Sequence, residues 1–301
     1  MSVTVPTTLQ RQVIMSSALV ALRTELLPLG VFSTVFDGVT LEGSDKISVP
    51  YYPLESSAST DFVQGDGYVF GDTYTQAARE VTINKRKYQP LSIPSSSLSR
   101  QPGLGLEEVG RQKGLKLAAD AYADILSVVT AANYGAAVFT GAAAAFDFAQ
   151  VNETVGGACD VAGWPTSGRG LVLKSGYYRN LVTDLIDASL YASDDPVKRG
   201  MLQGVAGFNE TYNSQTIPAN AENLVGFAAA KSALLVAFSP IQPADEGRIV
   251  EYDVMTDPET GISIEYRKWF DADLDTMKSV MEVNYGYAVG EAAALKRIVS
   301  A

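Results

Sequence analysis

The chain has 301 residues, 47% of them hydrophobic and 19% charged, with a net charge of -11 and no histidine. That length exceeds the usual single core and can bury one or two, while the acidic balance works against direct capture of phosphate backbones, which needs clustered Lys and Arg. Lack of histidine excludes Ser-His and Cys-His hydrolase chemistry and leaves an enzyme only carboxylate or lysine chemistry.

The single cysteine, Cys159, has no intrachain disulfide partner, and Met1 to Leu9 show no basic-then-apolar signal, so a cytoplasmic setting is expected. Apolar stretches such as Leu224 to Phe238 are interrupted by Gly226, Lys231 and Ser232, short of the roughly 20 residues that span a bilayer. No membrane helix is expected.

In chain order, residues 1–36 read as an arm with a short helix, because the apolar residues from Val13 to Leu29 lack a clean period and Pro28 and Gly30 close the run. Such an arm should stay loose until another surface covers it. Lys46 to Pro53 predicts a strand and Arg79 to Ile93 a second, with Val81, Ile83, Lys85 and Lys87 on one side of the pleat. The Ser-, Gly- and Asp-rich stretch between them, with Gly65-Asp66-Gly67, is too long for a tight hairpin and predicts a projecting two-stranded loop. Neither face is solidly apolar, so the ribbon is expected to lean on a partner.

Leu106, Val109, Leu117, Ala121, Tyr122, Ile125, Val128 and Val129 recur at helical spacing and predict the longest helix. Glu107 and Glu108 suit the positive end of its dipole, while Gly110 and Gly114 each cost about 1 kcal/mol against Ala. Phe148, Val151 and Val155 suggest a helix failing at Gly156-Gly157. Gly170 to Lys174 predicts a buried strand, followed by a helix with Ser175 as its N-cap. Strand-like pieces follow at Val205 to Tyr212 and Leu224 to Ala229, and Lys231 to Phe238 is left open between helix and strand. Arg248 to Met255, Ile262 to Phe270 and Thr276 to Val289 predict a meander, turned by Asp257-Pro258-Glu259-Thr260-Gly261. The class is mixed α+β, without an internal repeat.

Asp271, Asp273, Asp275 and Glu282 have the spacing of a calcium loop, but Thr276 stands where the sharp turn needs Gly, so a solvated turn is expected and no metal. Cys159 reads as an inert small residue. No phosphate-binding or dinucleotide-binding glycine pattern occurs, and Asn152-Glu153-Thr154 and Asn209-Glu210-Thr211 read as unmodified. Lys85, Arg86 and Lys87 form a basic run with an intersubunit electrostatic role as the preferred reading, beside a solubilising or salt-bridging face.

This order of elements resembles the tailed-phage major capsid protein family, the Hong Kong 97-type fold. Val81-Thr82-Ile83-Asn84-Lys85-Arg86-Lys87-Tyr88 looks like its returning extended-loop strand, and Leu171-Val172-Leu173-Lys174-Ser175-Gly176-Tyr177-Tyr178 like its strand entering a helix. Val205-Ala206-Gly207-Phe208, Ile217-Pro218 and Gly226-Phe227-Ala228 are similar to its late middle section. Arg267-Lys268-Trp269-Phe270-Asp271 and Glu282-Val283-Asn284-Tyr285-Gly286-Tyr287 resemble its closing strands.

The resemblance implies an N-terminal arm at 1–36, an extended loop at 37–95, a peripheral domain at 96–133 and 246–301, and an axial domain at 134–245. It implies a structural, non-enzymatic protein without catalytic residues, cofactor or metal, whose partners are copies of itself in pentamers and hexamers of an icosahedral shell. A separate scaffolding protein, a portal and a decoration protein join these; packaged DNA is met only indirectly, and no membrane is involved. The location implied is the virion, after assembly in the host cytoplasm. Intersubunit contact candidates are Lys85, Arg86, Lys87 and Tyr88 with Tyr68 and Phe70 of the loop. Some relatives crosslink a loop lysine to a neighbour's asparagine; Lys85 or Lys87 would be the positional candidates, but no motif matches the asparagine and non-covalent locking is expected. The rival within this fold is an encapsulin nanocompartment. The rival outside it is a hydrolase built on Asp271, Asp273 and Glu282.

Overall fold

A computed structural model describes residues 7–36, 45–51, 61, 64, 77–94, 105–187, 204–241, 251–258 and 260–301. Tyr68, Phe70 and the Gly65-Asp66-Gly67 turn lie outside these. Helix α1 (Thr7–Leu26) leads through a 3-10 turn at Leu27–Val31 into strand β1 (Ser33–Phe36). Strands β2 (Lys46–Tyr51) and β3 (Ala77–Thr82) pair antiparallel as a separate ribbon. Strand β4 (Lys85–Pro94) and the long helix α2 (Leu106–Leu126) follow.

Sequence reasoning placed α1 in a loose arm, and the structure corrects this. Ile14, Met15, Ala18, Leu22 and Leu26 are buried, facing α2. The approach is close because Gly110 and Gly114 offer bare backbone. A Cβ on Gly114 would stand 2.5 Å from the Ala18 carbonyl oxygen and 2.7 Å from its Cα, and one on Gly110 would meet the Ile14 carbonyl. The helix-propensity cost of these glycines therefore buys interhelical contact. Arg11 anchors the N-terminal part of α1 by ion pairs to Glu251 and Asp253. Against the expectation of no such run, the stretch Arg11–Val31 is long and apolar enough to cross a membrane, and half of it is buried against the rest of the chain.

Beyond α2 come a short helix α3 (Ala131–Tyr134), strand β5 (Phe139–Thr140) and a π-helical turn at Gln150–Gly156 that runs straight into α4 (Gly157–Val161). The expected failure at Gly156-Gly157 does not occur: both glycines keep right-handed helical dihedrals. Strand β6 (Gly170–Leu173) enters α5 (Ser175–Asp187), where the Ser175 hydroxyl donates to Asn213 Oδ1 at 2.8 Å instead of serving as the expected N-cap. The predicted strand at 205–212 shrinks to β7 (Glu210–Asn213), because Ala206 and Gly207 adopt positive φ and turn the chain. Next are β8 (Leu224–Ala229), β9 (Leu234–Phe238), β10 (Glu251–Thr256), β11 (Ser263–Asp271), β12 (Thr276–Val289) and β13 (Leu295–Val299).

Two sheets organise these strands. The first runs β1-β9-β12-β11-β10, with β4 also paired to β12, and contains the predicted meander; the second runs β5-β13-β8-β6-β7. β6, β8 and β9 are apolar throughout and buried along their whole length, as strands covered on both faces must be. The expected boundary at 245/246 does not separate the sheets. β9 crosses into the first sheet to pair with β12, and β13 crosses into the second to pair with β8.

Asn220 joins the second sheet's loops to α2, its amide donating to the Leu126 and Val129 carbonyls at 2.9 Å and so capping the helix end. Beside it, Glu222 accepts the Ala131 N–H and pairs with Arg297 of β13 at 2.6 Å. Tyr285 of β12 donates to Asp124 of α2 at 2.9 Å, tying the first sheet to the same helix.

Candidate functional site

The basic run sits on β4, and the single strand expected over 79–93 is in fact two. β3 ends at Thr82, Ile83 and Asn84 leave the ladder, and β4 then pairs with β12 from Lys85 opposite Tyr285 to Pro94 opposite Thr276. The period of two continues across the break, which is why the pattern hides it. Val81 and Ile83 are buried with Ile47, Val49 and Tyr51 against Leu235 and Ala237 of β9. The base of the ribbon thus has apolar cover within its own chain, correcting the expectation that it must find cover on a partner.

Arg86 does not project freely. Its guanidinium grips Glu282 with both arms, Nε to Oε2 at 2.7 Å and Nη2 to Oε1 at 2.6 Å, with the Arg86 side chain 45% exposed and the Glu282 side chain 4%. The carboxylate raises the Arg86 guanidinium further above its ordinary value. Glu282 also pairs with Arg267, which reaches Glu265 at 3.1 Å and lies over the Tyr252 ring. Glu265 accepts from the Asn284 amide and from the Ile241 N–H, the latter at 2.9 Å, and the Tyr252 hydroxyl lies 3.3 Å from its other oxygen. Burial pushes the Glu265 carboxyl upward against the pull of the Ile241 N–H and of Arg267. Two arginines and two carboxylates thereby neutralise one another on one face of β4, β12 and β11.

Lys85 lies 5.8 Å above the Tyr287 ring centre. Lys87 is half-buried and Tyr88 is 61% exposed, so of the four described contact candidates Tyr88 offers the largest open apolar surface. The salt-bridging alternative kept open for the basic run holds for Arg86, while its partner Glu282, weighed only in the acidic turn and the hydrolase rival, and the parts of Glu265 and Asn284 were not foreseen. The available signal was polar Glu282 and Asn284 alternating with Val283 and Tyr285 in an otherwise apolar strand.

The acidic turn is separate from this cluster. Asp271 accepts Lys278 Nζ at 2.5 Å and the Asp273 and Leu274 backbone N–H groups, and Lys278 holds its carboxyl below the usual range. Glu282 faces Glu265 in the ladder, six register pairs beyond Asp271 opposite Thr276, so Asp271, Asp273 and Glu282 do not converge as the hydrolase rival requires.

Cys159 is buried and its thiol is pushed up to about 12 by desolvation. A thiol-reactive disulfide reagent is therefore expected to leave the native subunit unlabelled over the time in which urea-unfolded protein reacts fully. Comparable labelling of the native form would show that the site opens.

No protein-family model and no curated protein sequence matches this chain. Solved structures do. The mature capsid of bacteriophage PhiM1 superposes with a TM-score of 0.56 at 11% identity, over 91% of this chain and 86% of that one. The capsid of cyanophage P-SCSP1u gives 0.53 at 13%, over 90% and 86%. A virus-like particle from Pyrococcus furiosus gives 0.50 at 12%, over 95% and 97%. Over about nine-tenths of its length, the chain has the fold of phage capsid proteins.

Proposed function

We propose that this chain is the major capsid protein of a tailed phage, the repeating subunit of a closed icosahedral shell around double-stranded DNA. The supporting observation is the fold, shared with capsid subunits over nine-tenths of this chain and 86% of theirs. On this reading α2 and most of the first sheet form the peripheral domain, and most of the second sheet forms the axial domain. Pentamers and hexamers assemble in the host cytoplasm with a separate scaffolding protein, portal and decoration protein, and the ribbon with Lys85, Lys87 and Tyr88 lies against a neighbour. Many modest contacts, multiplied by closure, stabilise the shell, so no single one need be strong.

The purified protein, concentrated or mixed with its scaffold, is expected to elute in the void volume of a sizing column and to appear as closed shells by electron microscopy. A monodisperse monomer of 32.0 kDa under every such condition would defeat the reading. A nanocompartment is the second reading, favoured by the likeness to the Pyrococcus furiosus particle along nearly the full length of both chains. Protein cargo in native particles in place of nuclease-protected DNA would select it.

A further inference from the structure

The ribbon meets the first sheet at a crossing that has no room for a side chain. The ribbon closes at its root, where the Ile83 N–H donates to the Asp45 carbonyl at 2.7 Å. There the Thr82-Ile83 peptide passes directly over Gly286 of β12. A Cβ on Gly286 would overlap the Thr82 carbonyl oxygen, with the Thr82 carbonyl carbon at 2.8 Å and the Ile83 nitrogen at 3.2 Å. These are backbone atoms, so no rotamer change can relieve the overlap. Glycine weakens a strand interior, and within the 14 residues of β12 this position is explained by close approach of another backbone.

Two polar ties flank that seat. On one side Arg86 forks onto Glu282. On the other, Arg79 of β3 donates to the Val289 carbonyl at 3.1 Å, with its guanidinium 4.6 Å from the Tyr51 ring centre. The three points lie along one strand, and at about 3.4 Å per residue the outer two are roughly 24 Å apart. The Arg86 tie fixes the start of β4, the strand into which the ribbon runs, and the Arg79 tie holds β3 itself. The steric stop therefore stands between an anchored root and a tie on the ribbon, and resists its tilting and sliding.

We infer that Gly286, Arg86 and Arg79 form a three-point mount that fixes the direction in which the ribbon leaves the body, and that this direction sets the angle between neighbouring subunits. The second clause rests on the shell reading; the first stands without it. In a ring of head-to-tail contacts a small rotation at each subunit accumulates, so a mis-aimed ribbon changes closure while leaving each subunit folded.

The test uses Gly286→Ala and Arg86→Ala in the full chain. Spin labels at Ser48→Cys on the exposed side of β2 and Lys116→Cys on α2 report ribbon direction, since Cys159 is buried and stays unlabelled. Gly286→Ala is expected to displace or broaden the label-to-label distance distribution of the unassembled subunit, with unchanged far-ultraviolet circular dichroism. Its particles should be open sheets or shells of altered diameter. An unchanged distance distribution overturns the mount, whether or not the protein assembles. A changed distribution with shells of unaltered diameter overturns its role in curvature. If Gly286→Ala does not fold, Arg86→Ala, altered at a half-exposed side chain, decides by the same two measurements.

Discussion

Gly114→Leu is expected to lower the stability of the unassembled subunit by about 3 kcal/mol, the upper end of the usual cost of overpacking. The added side chain would start 2.5 Å from the Ala18 carbonyl oxygen and 2.7 Å from its Cα, so it can be accommodated only by moving α1 as a body. Moving α1 uncovers Met15, Leu22 and Leu26, each fully or almost fully buried and each worth roughly 1.5–3 kcal/mol of burial. Urea unfolding measures the loss, and faster tryptic cleavage at Arg11 and Arg23 identifies its origin as release of the helix. Gly30→Ala is the control: it has open space around its Cβ and should stay within about 0.5 kcal/mol of the parent. Equal effects of the two substitutions would refute the seam between α1 and α2.

Glu282→Ala should be the second severe change, at about 3 kcal/mol, because it removes the carboxylate that two arginines share, leaving Arg86 without its fork and Arg267 with Glu265 alone. Arg267 is the one that suffers, with its side chain only 15% exposed. Arg86→Ala removes the other partner of the same carboxylate but leaves Glu282 paired with Arg267, and the lost arginine is half in water. A cost of about 1 kcal/mol is expected there, since solvent screens exposed pairs. The order of the two midpoints in urea is the informative quantity. Arg86→Ala matching or exceeding Glu282→Ala would mean that the charge cluster is not organised around Glu282.

The sequence made the meander legible because β11 and β12 are bounded by turn residues, with Gly261 at the positive φ that its turn requires. The long helix was legible from the spacing of Leu117, Ala121, Tyr122 and Ile125. The role of α1 was not, since exposed Val20 and Leu27 blur the spacing of Ile14, Ala18, Leu22 and Leu26, and no pattern marks Gly110 and Gly114 as the places where its backbone comes close. β13 was passed over because Leu295–Val299 is short and carries Lys296 and Arg297 beside its apolar residues. At the ribbon root, the charges of Lys85, Arg86 and Lys87 were visible, but the partner of Arg86 lies 196 residues away and no local pattern announces it.

The position of β13 bears on synthesis. This strand lies between β5 and β8 inside the second sheet, and its Arg297 reaches the Gly135 carbonyl across 162 residues of chain. Until the ribosome has delivered β13, β5 and β8 present bare edges open to any other nascent chain. Closing so long a loop is slow, so a folding chain most needs a chaperone during the interval between emergence of β8 and arrival of β13.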